Sequence, residues 1–169
     1  MKVSKHSNLI TQKIKKLSWM FFDIDGVFTD GGLYFSENGE IFKKFNVLDG
    51  HGIKQLFNCG INVGLISGRG HAATRLRAKE LGIKTLMLNV ENKVNAFEDW
   101  TKKNNIDPMQ CGHMGDDIPD LELFSKVGFS ASVPNACDEI QLAADWVSKR
   151  NGGNGAVREL CDLIVEIHE

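Results

Sequence analysis

The sequence predicts an α/β domain built on a doubly wound, Rossmann-like parallel sheet. Short apolar runs recur along the chain, segments with helical periodicity lie between them, and Gly, Asn or Asp follows each run. Strands and helices that alternate over short connections are typical of a parallel sheet with helices on both faces. The predicted strands are residues 19–22, 62–66, 85–88, 111–114 and 127–131.

The first predicted strand, residues 19–22, is apolar throughout and is ended by Asp23. This pattern is typical of a strand buried on both faces. Two extended runs follow around Asn38-Gly39, and an Asn-Gly pair is a strong signal for a hairpin turn. Only about forty residues separate Asp25 from Ser67. We therefore expect a β-hairpin flap inserted after the first strand and no cap domain.

The predicted helices end at glycine, as expected for a C-terminal cap. Gly60 and Gly82 follow two such helices, and a last helix is predicted from Val157 to Ile167 after a glycine-rich stretch, Gly152–Gly155, that reads as a flexible connection. A chain of 169 residues with 42% hydrophobic composition suffices for one core. We expect a single domain over residues 1–169.

Charge and composition exclude several classes of partner. Lys and Arg number 20 against 22 Asp and Glu, so no basic field favours nucleic acid or an anionic membrane. No apolar run reaches the roughly 18 to 20 residues of a membrane span, and no signal-peptide core is present. Isolated cysteines without C-x-x-C spacing favour reduced thiols. The sequence thus predicts a cytoplasmic protein.

Two acidic clusters follow predicted strands. Asp23 and Asp25 form a D-x-D pair after the first strand, and Asp116, Asp117 and Asp120 follow the fourth. Each cluster has a simpler interpretation, since acidic residues are common in turns and stabilise helix N-termini. If the strands are neighbours, however, Asp116 faces Asp23, and carboxylates with a backbone carbonyl suit Mg²⁺. We predict a magnesium site, with Asp117 and Asp120 as supporting acids.

Two further motifs could bind phosphate. Ser67-Gly68-Arg69 follows the second of the predicted parallel strands, where a hydroxyl and exposed amides can hold an anion. An ordinary Ser-Gly turn is the alternative. Lys93 lies at the start of a predicted helix, where a lone lysine is usually a solvated surface residue. Neither motif is specific without the acidic clusters.

In this order, the four motifs resemble the haloacid dehalogenase superfamily of phosphatases. The resemblance implies that Asp23 is the nucleophile and Asp25 the general acid and base. It also implies that Ser67 and Lys93 hold the phosphate, and that Asp23, the Asp25 carbonyl and Asp116 bind Mg²⁺. An acid two residues from the nucleophile would speed loss of the phosphoryl group from the enzyme, which a turnover enzyme requires.

From about Ile14 to Glu159 the chain is similar to the capless subgroup that hydrolyses 3-deoxy-D-manno-octulosonate 8-phosphate in lipopolysaccharide biosynthesis. The similarity implies a small phosphorylated sugar acid as the partner, Mg²⁺ as the cofactor, and a homotetramer in which a neighbouring subunit covers the open site. Arg69 and Arg77 are eight residues apart and are expected on one helix face, which could instead be solvated. The residues implied for the sugar-acid pocket are Asn46, Val47, Leu48, Asp49, Gly50, Lys54, Arg69 and Arg77.

Three other functions compete with this interpretation. Phosphatases for nine-carbon sugar acids such as sialic acid 9-phosphate carry closely similar motifs. A phosphoacceptor receiver domain also uses aspartates, a hydroxyl, a lysine and Mg²⁺, but it is not expected to carry D-x-D. An inactive regulatory subunit is disfavoured because every expected catalytic group is present. The sequence leaves open whether His51 touches the substrate and whether the C-terminal segment reaches a neighbour's active site.

Overall fold

A computed structural model describes residues 8–169 of the chain; residues 1–7 of the predicted domain lie outside the described part. The strands are β1 (Trp19–Phe22), β2 (Tyr34–Ser36), β3 (Gly39–Phe42), β4 (Asn62–Ser67), β5 (Thr85–Leu88), β6 (Cys111–Met114), β7 (Phe129–Ser132) and β8 (Trp146–Val147). The α-helices are α1 (Asn8–Ile14), α2 (Val47–Asn58), α3 (Ala72–Leu81), α4 (Lys93–Asn104), α5 (Ile118–Phe124), α6 (Asp138–Ala143) and α7 (Ala156–His168). Within residues 8–169, no helix is long and apolar enough to cross a lipid bilayer.

Six strands form one parallel sheet in the order β5-β4-β1-β6-β7-β8, which confirms the predicted fold class. Strand β1 is central, with Phe22 paired to Leu65 of β4 and to Met114 of β6. The chain passes outward from β1 through β4 to β5 and then crosses to β6 on the other side. Ligands of such sheets bind beyond the carboxyl ends of the strands at this switch point.

Alternating residues of β1 enter two cores on opposite faces of the sheet. Met20 and Phe22 join the larger core, to which α1, α2, α3 and α7 contribute. Phe21 joins the smaller core with Val94 and Phe97 of α4. Burial on both faces explains why this strand is apolar at every position, as the sequence predicted.

A two-stranded antiparallel hairpin, β2 and β3, leaves the sheet between β1 and α2. We call residues 34–42 the flap. Ser36 pairs with Gly39, so the turn is Glu37-Asn38, one residue earlier than the Asn38-Gly39 signal suggested. Gly39 has a φ of 106°, a conformation that side chains oppose. Between β1 and β4 the described chain holds only this flap and α2, so no cap domain is inserted there.

The prediction of a flexible Gly152–Gly155 stretch is wrong. Gly152 and Gly153 are buried against the loop after β1, and a Cβ on Gly152 would lie 1.7 Å from the Gly26 carbonyl oxygen. The Gly153 N–H donates to the Val27 carbonyl at 3.0 Å. Glycine is needed here for close approach of two backbones rather than for freedom of movement.

The C-terminal helix α7 is part of the core. Ala156, Val157, Leu160, Cys161 and Ile164 are fully buried, and α7 packs against α2. Removing the chain beyond Arg150 would therefore unfold the domain. The hypothesis that this segment reaches a neighbour's active site cannot be tested by truncation.

Three strands differ from the sequence prediction. Strand β4 ends at Ser67 rather than at residue 66. Strand β7 runs from Phe129 to Ser132 rather than over residues 127–131. The edge strand β8 was not predicted. It has two residues, Trp146 and Val147, which is too short for a periodicity signal.

Candidate active site

The carboxyl ends of β1, β4 and β6 form a cleft of about 250 Å³. Seven predicted site residues line it, namely Asp23, Asp25, Ser67, Arg69, Lys93, Asp116 and Asp117. They come from four separate loops, and they meet because β1 lies between β4 and β6 while α4 begins beyond β5. The structure thus brings together the two acidic clusters, the hydroxyl and the lysine.

Asp23 directly follows β1 and is 8% exposed. Its backbone N–H donates to the Met114 carbonyl at 2.9 Å, which ties it to β6. Its Oδ1 accepts a hydrogen bond from the Ile24 N–H at 2.7 Å, and its Oδ2 lies 2.9 Å from Lys93 Nζ. Burial and the nearby Asp120 carboxylate raise the pKa of Asp23, although Lys93 opposes this shift.

Hydrogen bonds to Thr29 and Asn135 hold the loop that carries Asp23 and Asp25. The Thr29 hydroxyl accepts from the backbone N–H groups of Gly26 and Gly31 at 3.3 and 3.2 Å. Asn135 donates to the Gly26 carbonyl at 3.0 Å and accepts from the Gly152 N–H at 2.7 Å. These hydrogen bonds connect the acidic loop to Asn135 and to the C-terminal region.

Lys93 is the first residue of α4 and is buried, so the surface interpretation of this lysine is wrong. Its ammonium lies 2.9 Å from Asp23 and 2.7 Å from Asp120. Desolvation opposes its charge, but the two carboxylates outweigh burial and raise the pKa of Lys93. An ammonium has three N–H donors. Two are used by these carboxylates, which leaves one for a ligand in the cleft.

Asp117 and Asp120 have different environments. Asp117 is the N-cap of α5 and forms a capping box with Asp120, which satisfies the free amides at the start of this helix. Asp120 is fully buried and accepts from Lys93 Nζ and His113 Nε2, each at 2.7 Å. Burial opposes ionisation, but His113 and Lys93 lower the pKa of Asp120 to about 2. The helix-stabilising interpretation thus holds for Asp117, which also lines the cleft, whereas Asp120 serves the cleft by holding Lys93.

The donor set fits a divalent cation. Oxygens of Asp23, Asp116 and Asp120 lie within 4.8 Å of one another. Burial, followed by the charges of Asp23 and Asp120, raises the pKa of Asp116 to about 8. Asp116 Oδ1 is buried and has no hydrogen-bond partner within residues 8–169. A hard cation with oxygen ligands would supply the positive charge that these carboxylates lack.

Ser67 ends β4 and is 1% exposed. Its hydroxyl oxygen accepts from the Arg69 N–H at 3.2 Å, as in a tight turn, while the residue still lines the cleft. Arg69 precedes α3, which begins at Ala72, so the prediction that Arg69 and Arg77 share a helix face is wrong. Residues 69–71 are not helical, and His71 is the N-cap of α3.

The residues implied for the sugar pocket, apart from Arg69, do not line this cleft within one chain. Asn46 caps α2, with its side chain accepting from the Leu48 N–H at 2.8 Å. Asp49 is fully buried and accepts from the Arg158 N–H at 2.9 Å, which points it toward α7. Gly50 packs on Arg77, whose Nη2 donates to the Asn46 carbonyl at 3.3 Å.

Asn46, Asp49, Gly50 and Arg77 therefore have structural contacts inside this chain. Val47, Leu48, His51 and Lys54 lie on the exposed side of α2.

Two buried residues next to the cleft were missed. His113, in β6, is fully buried and holds Asp120. A polar residue inside an apolar strand that leads into an acidic loop was a usable signal for it. Lys43 follows the flap and pairs with Asp25. Nothing in the local sequence distinguishes Lys43 from its neighbour Lys44, which is exposed.

The chain is similar to a known family of hydrolases. The haloacid dehalogenase-like hydrolase family matches residues 86–160. The 3-deoxy-D-manno-octulosonate 8-phosphate phosphatase of Haemophilus influenzae is 39% identical over 155 residues, which cover 92% of this chain and 86% of the relative. The Escherichia coli K12 phosphatase of the same name is 38% identical over 156 residues, covering 92% and 83%.

Two solved structures are also similar. The crystal structure of 3-deoxy-D-manno-octulosonate 8-phosphate phosphatase from Moraxella catarrhalis, in complex with magnesium ion, phosphate ion and KDO, has a TM-score of 0.92 at 40% identity and covers 96% of this chain and 93% of its own. The cobalt-bound phosphatase from Haemophilus influenzae has a TM-score of 0.89 at 38% identity, covering 93% and 92%. The chain therefore belongs to the haloacid dehalogenase-like hydrolases, within the family of 3-deoxy-D-manno-octulosonate 8-phosphate phosphatases.

Proposed function

We propose that the chain is a Mg²⁺-dependent phosphatase that hydrolyses 3-deoxy-D-manno-octulosonate 8-phosphate to the free sugar acid and phosphate, in lipopolysaccharide biosynthesis. The main support is the convergence of Asp23, Asp25, Lys93 and Asp116 in one cleft. Relatives with that activity in their names share 38–39% identity over most of the chain, and one similar structure holds magnesium, phosphate and KDO.

In the first step, a carboxylate oxygen of Asp23 attacks phosphorus, and the bond from phosphorus to the sugar oxygen breaks. Asp25 donates its proton to that leaving oxygen. The product of this step is an aspartyl-phosphate on Asp23. In the second step, Asp25 takes a proton from water, the water oxygen bonds to phosphorus, and Asp23 is released with inorganic phosphate.

The phosphoryl group needs positive charge, because a carboxylate attacks an anion. Lys93 is held 2.9 Å from Asp23, and its remaining N–H would bind a phosphoryl oxygen. The Ser67 hydroxyl would donate to another. Asp23, Asp116 and the Asp25 carbonyl would hold Mg²⁺, with Asp120 and Asp117 supporting the loop. When bound, this ion neutralises charge on the carboxylates and the phosphoryl oxygens.

The substrate class follows from the charges around the cleft. Arg69 lines the cleft, and its side chain is 43% exposed, so its guanidinium can reach a second anionic group of the substrate. A carboxylate is the natural partner, since it can accept two parallel hydrogen bonds from arginine. A phosphorylated sugar acid carries both anions on one small molecule.

A substrate panel tests this proposal. We expect kcat/KM for 3-deoxy-D-manno-octulosonate 8-phosphate to exceed that for nine-carbon sugar acid 9-phosphates by about tenfold or more, because extra carbons must be placed in the same pocket. A hexose 6-phosphate, which has no carboxylate, should have a lower kcat/KM than either acid. Faster turnover of a nine-carbon acid would replace the proposed substrate with the nine-carbon alternative.

We also propose that the active form is a cytoplasmic homotetramer. Leu33, Phe35 and Phe42 of the flap region are 45%, 61% and 49% exposed, and Val47 and Leu48 at the start of α2 are 78% and 44% exposed. Such an apolar patch favours contact with another copy of the chain. The four free cysteines agree with a reducing compartment.

The oligomer proposal predicts that Phe35→Ser combined with Phe42→Ser yields a smaller species with lower kcat/KM, because the open cleft loses its cover. Sedimentation velocity measures the mass, and turnover is measured on the same sample. Leu142→Ser is the matched control, since Leu142 is 87% exposed on α6, outside the flap. A wild-type chain that sediments as a monomer with full activity would contradict the proposal.

A further inference from the structure

Four charged side chains form a closed ring between the flap and the D-x-D loop. Lys43 Nζ contacts Asp25 Oδ1 and lies 3.0 Å from Glu40 Oε1. Arg69 Nη2 lies 2.7 Å from Glu40 Oε2, and Arg69 Nε lies 3.8 Å from Asp25 Oδ2. Each cation thus bridges both carboxylates. We call this set of Asp25, Glu40, Lys43 and Arg69 the flap ring, and its formal charge is zero.

Lys43 is the buried member of the ring. Its side chain is 1% exposed, and the Glu40 side chain is 9% exposed, whereas the adjacent Lys44 is exposed. Burying an ammonium is costly unless carboxylates pair with it. Lys43 does not line the cleft, so it cannot act on a bound phosphate directly. Of the cleft residues, Lys43 contacts Asp25 directly, whereas it reaches Arg69 only through Glu40.

The contact with Lys43 gives the two carboxylate oxygens of Asp25 different surroundings. Oδ1 accepts the hydrogen bond from Lys43. Oδ2 is buried and has no hydrogen-bond partner within residues 8–169; the nearest ring cation is Arg69 at 3.8 Å. Because Asp25 lines the cleft, Oδ2 is the oxygen left for the proton that the reaction moves. A carboxyl without the Lys43 contact could rotate about its side-chain torsions and lose this orientation.

We propose that Lys43 is a positioning residue for the general acid and base. It holds Oδ1 of Asp25 so that Oδ2 carries the proton to the leaving oxygen and then accepts one from water. Glu40, neutralised in turn by Arg69, keeps Lys43 in place and ties the pair to the flap. The inference rests on the proposed function, since it assigns Lys43 a part in the same two steps.

The test uses Lys43→Met with substrates of different leaving groups. An alkyl phosphate such as the sugar acid phosphate needs a proton on its leaving oxygen, whereas p-nitrophenyl phosphate hardly does. We expect kcat/KM to fall about 10- to 100-fold on the alkyl phosphate and less than about threefold on the aryl phosphate. Slower hydrolysis of the aspartyl-phosphate should also produce a burst of p-nitrophenolate close to one equivalent per active site.

Lys43→Arg should restore most of the alkyl phosphate activity, and Lys44→Met should match the wild type. Combining Lys43→Met with Asp25→Asn should cost little beyond Asp25→Asn alone, because both changes remove one function. Equal losses on both substrates without a burst, or additive losses in the double variant, would overturn the inference. If Lys43→Met fails to fold, Lys43→Arg decides by whether its residual loss depends on the leaving group.

Failure of the proposed function gives a different result. In that case the wild type would form no aspartyl-phosphate, and Asp23→Asn would keep its activity. If only the Lys43 inference fails, the wild type still forms the aspartyl-phosphate and Asp23→Asn is still inactive.

Discussion

Asp23→Asn should reduce phosphate release on the order of 10³-fold or more, because the amide cannot attack phosphorus to form the covalent intermediate. The variant should nevertheless fold. In the absence of Mg²⁺, we expect its melting temperature to equal or exceed that of the wild type. Burial raises the pKa of Asp23, so its ionised form is less favourable in the folded chain than in the unfolded chain at neutral pH. Removing that charge relieves the repulsion from Asp120.

Rapid-quench labelling with ³²P-substrate checks the mechanism, and differential scanning fluorimetry checks the fold. Asp30→Asn is the matched control, because Asp30 is exposed in the same loop and an Asn oxygen can still accept from the Gly32 N–H, which lies 2.9 Å away. The control should keep wild-type kcat and labelling. Labelled protein in the Asp23→Asn variant, or retained turnover, would contradict the assignment of the nucleophile.

The sequence supported the sheet and the main site for a physical reason. A parallel strand buried on both faces, such as β1, is largely apolar, so a polar residue that follows an apolar run marks the end of the strand. Asp23, Ser67 and Asp116 all stand at or next to such points, and the carboxyl ends of parallel strands share one edge. The local sequence pattern was therefore sufficient to predict that these side chains lie close together.

The glycine-rich stretch before α7 could not be interpreted in this way. Composition alone does not distinguish a glycine that gives freedom from one that permits close approach of two backbones. At Gly152 the close partner is Gly26, which lies 126 positions earlier in the chain (152 − 26) and in the acidic loop. Such a contact depends on the complete fold, as does the choice of Lys43 over Lys44 as the partner of Asp25.

The position of Asp49 also depends on the complete fold and could not be predicted from the local sequence. It was placed in the sugar pocket by resemblance, but its carboxylate accepts from the Arg158 N–H and is fully buried between α2 and α7. Burial raises the pKa of Asp49, against the hydrogen bonds from the Arg158 and Gly155 backbones. A residue on the first turn of an amphipathic helix can face the core or a ligand, and only the packing of α7 decides.

Lys93→Met separates the structural and catalytic effects of the buried lysine. Without Mg²⁺, the variant leaves the carboxylates of Asp23, Asp116 and Asp120 with His113 as their remaining basic neighbour. Removing one partner of a buried ion pair costs about 3 kcal/mol of unfolding free energy, a figure moderated here because Asp116 can take up a proton. Lys103→Met, at an exposed position of α4, is the control and should change little.

Added Mg²⁺ should then raise the melting temperature of Lys93→Met more than that of the wild type, because the ion binds a site with more uncompensated negative charge. Turnover should stay about 10²-fold or more below the wild type at saturating Mg²⁺, since the N–H that binds the phosphoryl oxygen is gone. Thermal melts across a Mg²⁺ titration, with kcat measured at each concentration, check both effects. If the melting temperature without Mg²⁺ matches that of the wild type, Lys93 does not balance the acidic cluster. If saturating Mg²⁺ restores kcat, its role is charge balance alone, and the proposed contact between Lys93 and the phosphoryl group is wrong.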